Sequence, residues 1–186
     1  MQKGFRFAVL IAVVMVAGCA GGTTTPRDST VVTVSAYGPD ISGQHEHGVG
    51  ARLDVRETGE ATSLAFPSME LRECNQSKTA CALGIGVIGG TAEIVSTNAT
   101  SATLAIHLSY QVGRSYSFNA NGQQFKQQVP PDVQALQASQ VISKHIEVAY
   151  GEVVHLPLQY GVDVAVCAQK HTAGEIMPDR SVCKGY

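Results

Sequence analysis

Tryptophan is absent from this chain of 186 residues, and charged residues make up only 15% of it. Set against 44% hydrophobic residues, so little charge excludes a solvated disordered polymer. The length suits one domain with a real core. Charge of one sign is also missing: 13 Lys+Arg face 15 Asp+Glu, a formal net charge of −2. That balance removes the electrostatic footprint of a nucleic-acid binder, and of a protein held to anionic headgroups by basic residues. Sustained helical periodicity is nearly absent. Two common hydrolase signatures are missing as well, with no GxSxG and no HExxH. Catalysis is therefore not expected.

What is present begins at the N-terminus. Lys3 and Arg6 precede Phe7–Ala17, an unbroken apolar stretch too short for the roughly 20 residues of a membrane-spanning helix. It has the form of a signal-peptide core. It ends in Val16-Ala17-Gly18-Cys19, which resembles the lipobox of bacterial lipoproteins. The resemblance is confined to this segment. It implies removal of residues 1–18, fatty acylation (palmitate among the chains) of Cys19, and a permanent membrane anchor, since two or three acyl chains hold where one does not. Ala20 stands where an Asp would resemble the inner-membrane retention signal. The resemblance thus implies the outer membrane, on its periplasmic face.

Residues 19–29 read as a lipidated flexible tether, and 30–186 as one domain. Within that domain side chains alternate with period two. Leu104, Ile106, Leu108, Tyr110 and Val112 oppose Thr103, Ala105, His107, Ser109 and Gln111, and Val49, Ala51, Leu53 and Val55 do the same around Arg52 and Asp54. Such alternation marks antiparallel strands with one face in a core. Turn signals stand at Thr58-Gly59, Gly89-Gly90, Asn121-Gly122, Tyr150-Gly151-Glu152 and Gln159-Tyr160-Gly161. Asn121-Gly122 suits a two-residue type I′ hairpin, and Asn98-Ala99-Thr100, although a glycosylation sequon, reads as turn chemistry. The expected fold is all-β, an antiparallel β-sandwich, with a partly open β-barrel as the alternative. A Gln-rich loop or short helix is expected near 129–139.

Four cysteines follow Cys19. In an exported protein they predict two disulfides, and neighbour pairing, Cys74–Cys81 and Cys167–Cys183, closes two short local loops. Zinc would require CxxC-type spacing, which is missing. Gly84-Ile85-Gly86-Val87-Ile88-Gly89 formally matches GxGxxG, yet no acidic residue lies between Glu93 and Asp132 to hold a ribose. Gly84 and Gly86 are better read as places where another group approaches a sheet closely. His45 and His47, flanking Glu46, would point the same way in an extended segment and could share copper or zinc, but no pattern supplies further ligands. No tightly held metal and no cofactor are expected. Glu57 with Glu60, by a hairpin turn, and Glu70 with Glu73, on a strand, read as solubilising charges.

These features predict a non-catalytic lipoprotein that binds another protein of the cell envelope, as part of secretion or envelope assembly. An inhibitor or immunity lipoprotein against a periplasmic toxin or lytic enzyme is the second possibility, using the stapled loop Asn75–Ala80. Metal binding through His45 and His47 is the third.

Overall fold

The computed structural model describes residues 29–39, 51–56, 58–114, 116–118, 124–126, 128–129, 131–171 and 183. Eleven strands form in chain order among them: β1 (Ser29–Tyr37), β2 (Ala51–Val55), β3 (Thr62–Ala65), β4 (Met69–Cys74), β5 (Cys81–Thr97), β6 (Ser101–Arg114), β7 (Tyr116–Phe118), β8 (Gln124–Lys126), β9 (Ala138–Ala149), β10 (Val153–Pro157) and β11 (Asp163–His171). Strands β10-β11-β1-β2 make one antiparallel sheet, called sheet I. Strands β5-β6-β9, with β3 and β4 both along the far side of β5, make sheet II. The two sheets pack as a β-sandwich. Neither closes into a barrel.

The alternation of the sequence becomes the core directly. From sheet I come Val32, Val34, Val55, Leu156, Val164 and Val166; from sheet II come Leu64, Leu71, Ile88, Ile94, Leu104, Ile106, Leu108 and Tyr110, all buried in one cluster. Tyr110 brings a hydroxyl into this core and donates it to the backbone carbonyl of Gln159 at 3.1 Å. Burial, with the nearby Tyr160, pushes its phenol well above the usual tyrosine range.

Several turn signals operate as expected. Asn98 Oδ1 accepts from the N–H groups of Thr100 and Ser101, both at 2.8 Å, which closes the β5–β6 hairpin with the sequon as its turn. Other expectations need correction. Thr58-Gly59 is not a hairpin turn: β2 and β3 lie in different sheets, so this segment crosses the sandwich. In the β7–β8 pair Phe118 stands opposite Gln124. Asn121-Gly122 itself lies outside the described residues. Residues 131–137 do form a loop, one of the two forms expected there, with no helix, and lead straight into β9.

The largest departure concerns Gly89-Gly90. It is not a turn. β5 runs through it without a break, and the pair marks where its edge partner changes, from β4 (opposite 81–86) to β3 (opposite 89–92). A Cβ on Gly90 would lie 2.0 Å from the carbonyl oxygen of His107 on β6, so only glycine fits.

Candidate functional site

The outer faces of the two sheets differ. On sheet I, Val31, Thr33, Ser35, Ala165, Cys167 and Gln169 point away from the core, yet all are buried. Cys183, joined to Cys167, sits against that face and is buried too. On sheet II the outer face is open. Among the described residues, the exposed large hydrophobics are Leu83 (40%), Val87 (49%), Val95 (43%) and Val141 (63%). All four stand on this one face, three on β5 and one on β9.

The apolar stripe arises because β5 could bury either side. Leu83, Ile85 and Val87 alternate with Gly84 and Gly86, and the sequence pattern expects Ile85 in the core. The structure puts the glycines inward instead, leaving Ile85 half-buried on the outer face. Leu136, from the 131–137 loop, fills the space over Gly84, where a Cβ would meet its Cβ at 2.9 Å. Leu71 and Tyr110 fill the space over Gly86, with nearest contacts of 3.1 and 3.3 Å. The glycines thus admit close neighbours as expected, and the bulky residues between them are turned outward.

Beside the stripe lies an open groove of about 920 Å³, lined by Ile85, Val87, Gln111, Gln134, Gln137 and Ser139 among others. Its wall, the 131–137 loop, is fixed at three points. Leu136 is in the core. The Tyr160 hydroxyl donates to the Gln137 carbonyl at 3.0 Å and accepts from the Gln137 N–H at 3.2 Å. Asp132 Oδ2 accepts from Asn75 Nδ2 at 2.6 Å. Tyr160 takes a left-handed conformation (φ 60°) to make this reach.

Asn75 belongs to the loop closed by Cys74–Cys81, which pair directly across β4 and β5. Its Oδ1 also accepts from the N–H groups of Thr79 and Ala80, at 2.9 and 3.2 Å. The cysteines share a face with Leu83, Ile85 and Val87, so the staple caps the apolar stripe. Both expected disulfides form.

No family model matches the chain, and no curated protein or solved structure matches it. Its site is read from its own residues. Cys19, His45 and His47 lie outside the described residues. The GxGxxG stretch lies wholly inside β5 and no helix follows it, so the geometry for a dinucleotide phosphate is missing. His155 pairs with Asp163 across β10 and β11, and His171 ends β11. As their side chains stand, no three His, Cys, Asp or Glu residues among those described converge closely enough to hold a metal ion.

Sequence reasoning missed the outward stripe. The signal available was the Gly84/Gly86 pair itself, since a glycine-lined face can be buried if larger residues elsewhere supply the volume.

Proposed function

We propose that this chain is a non-catalytic lipoprotein, anchored through Cys19 to the periplasmic face of the bacterial outer membrane, that binds an envelope protein through the outer face of sheet II. One observation carries the binding face: every exposed large hydrophobic among the described residues stands there, whereas the corresponding face of sheet I is covered. A concentration of apolar groups on one open face is the usual mark of an interaction surface. The groove lining carries no charged side chain, and Glu70 and Arg72 on β4 border the stripe opposite Ile85 and Leu83, the polar rim around an apolar patch that suits a protein partner. The pinned loop and the disulfide cap hold the surface in shape before the partner arrives, reducing the entropy lost on binding. Addition of a partner strand to the β9 edge is a weaker route, because Lys144 stands opposite the buried Ile106 on the core side of that edge, a device that discourages further pairing.

The stapled loop Asn75–Ala80 supports the second reading, an inhibitor of a periplasmic toxin or lytic enzyme. Its side-chain hydrogen bonds give it the rigidity an inhibitory loop needs. Capture from detergent-solubilised outer membrane separates the two. Machinery subunits are expected; a single hydrolase would favour the inhibitor. Val87→Glu with Val141→Glu places two charges on the open face and should reduce capture by at least about tenfold, since burying an unpaired charge costs several kcal/mol. Melting should stay within a few degrees of the parent because both side chains are solvent-exposed. Undiminished capture by this variant would remove the face from the proposal.

The anchor has its own test. Cys19→Ser should block lipoprotein processing and move the protein out of the outer-membrane fraction. If the variant still sediments with that membrane, the lipobox is not what holds it.

A further inference from the structure

On the same outer face, away from the apolar groove, strand register gathers three ligating side chains that lie far apart in sequence. Thr91, His107 and Ser143 form one rung across β5, β6 and β9, and Glu93, Ala105 and His145 form the next. His107 is therefore the diagonal neighbour of both Glu93 and His145, within the reach of long side chains on adjacent strands. Glu93 and His145 flank Ala105 from opposite sides, two strand spacings apart, roughly 9.5 Å. Around the short Ala105 side chain lies a surface hollow of about 160 Å³ whose lining includes Glu93, Ala105, His107, Ser143 and His145, with Lys144, set on the core side of β9, at its border. The imidazoles are exposed, and no hydrogen bond or ion pair commits any of the three ligating groups to another described residue.

We propose that Glu93, His107 and His145 form a surface site for a divalent transition-metal ion, Cu²⁺ ahead of Zn²⁺, seated over Ala105. Two neutral imidazoles and one carboxylate make the donor set that such ions favour, and Cu²⁺ binds nitrogen ligands most tightly of the first-row divalent ions. The three groups do not converge in the metal-free conformation. Binding requires both imidazoles and Glu93 to rotate toward the hollow. Solvent-exposed side chains make that rotation inexpensive, and the site is accordingly labile rather than one that retains metal through purification. A fourth position remains open to water. The site shares the outer face of sheet II with Val95 and Val141 but uses none of the apolar side chains, so its failure would leave the proposed function untouched.

The test uses the untagged full-length chain in detergent, carrying His45→Ala and His47→Ala so that this pair cannot contribute. Titration with Cu²⁺, followed by calorimetry and by electron paramagnetic resonance, should show one saturable site with nitrogen hyperfine splitting. His107→Ala and His145→Ala should each weaken it by at least about tenfold, in line with losing one of few ligands. Both positions are exposed, and unchanged circular dichroism and melting will show that each variant is folded. Glu93→Gln should weaken binding by a smaller factor; an unaltered affinity there would strike the carboxylate from the site. Absence of saturable binding, or binding that survives both histidine substitutions, would overturn the proposal.

Discussion

Gly90→Ala is expected to destabilise the protein by about 3 kcal/mol or more, and Gly90→Val to prevent folding, because backbone rather than a mobile side chain occupies the space a Cβ needs. The His107 carbonyl lies 2.0 Å from that position, with His107 C and Leu108 Cα each at 3.0 Å. Relief would require β5 and β6, the two longest strands, to separate at the middle of their ladder. The positive φ of 154° adds backbone strain for any side chain. The neighbouring glycine is the internal control. At Gly89 the nearest atom to a new Cβ is the Leu64 carbonyl oxygen at 3.5 Å, an ordinary contact. Gly89→Ala should be neutral or stabilise by up to about 1 kcal/mol, through reduced freedom of the unfolded chain. Urea unfolding of the two variants measures the contrast. Equal midpoints would mean that Gly89-Gly90 acts as a pair, as a turn would, and that β5 is not continuous.

Removal of both disulfides gives the second large effect. Each closes a short local loop, with sequence separations of 7 and 16. In the chain-entropy description such loops contribute about 2.5–3 kcal/mol each, a large share of a typical stability of about 5–15 kcal/mol. Neither bridge joins the two sheets. Cys74–Cys81 lies at one end of β4–β5 on the outer face of sheet II, and Cys167–Cys183 lies on the outer face of sheet I. The inter-sheet core therefore holds the fold without them. Reduction should lower the melting temperature by roughly 5–10 °C per bridge while β-sheet circular dichroism persists at room temperature. Full unfolding under mild reducing conditions would show that the core does not suffice alone.

Most of the fold follows from local physics. Period-two alternation needs no knowledge of neighbours: a strand with Leu104, Ile106, Leu108 and Tyr110 on one side has only one face that can enter a core, and that face does. The disulfide partners are legible for a similar reason, since each pair is close along the chain. The chemistry of Asn98 acts within three residues of itself, so the β5–β6 turn is also written locally. Thr58-Gly59 is different. A turn signal says that the chain bends, but whether the next strand pairs with the last or crosses to the other sheet depends on where each apolar face is buried.

The proposed binding face and the proposed metal site belong to tertiary structure. In β5 both sides are apolar enough to bury, one lined by Leu83, Ile85 and Val87, the other by Ala82, Gly84, Gly86 and Ile88. The choice falls to Leu136, Leu71 and Tyr110, remote in sequence, which fill the space the glycines leave. Gly89-Gly90 has the composition of a turn and becomes a strand interior because the His107 carbonyl packs where a side chain would otherwise stand. Glu93, His107 and His145 each occupy an ordinary outward position on a separate strand. Composition and spacing cannot place them together, because their proximity is a property of register: the β5–β6 and β6–β9 ladders set the three around Ala105, and a slip of one residue in either would turn one of them to the other face. What the sequence determined by itself is therefore the all-β class, most inward-facing residues and the two staples, each a consequence of local alternation or short chain separation. Which apolar face stays open, and which distant side chains share it, was decided by packing volume and ladder register, which exist only once the strands have met.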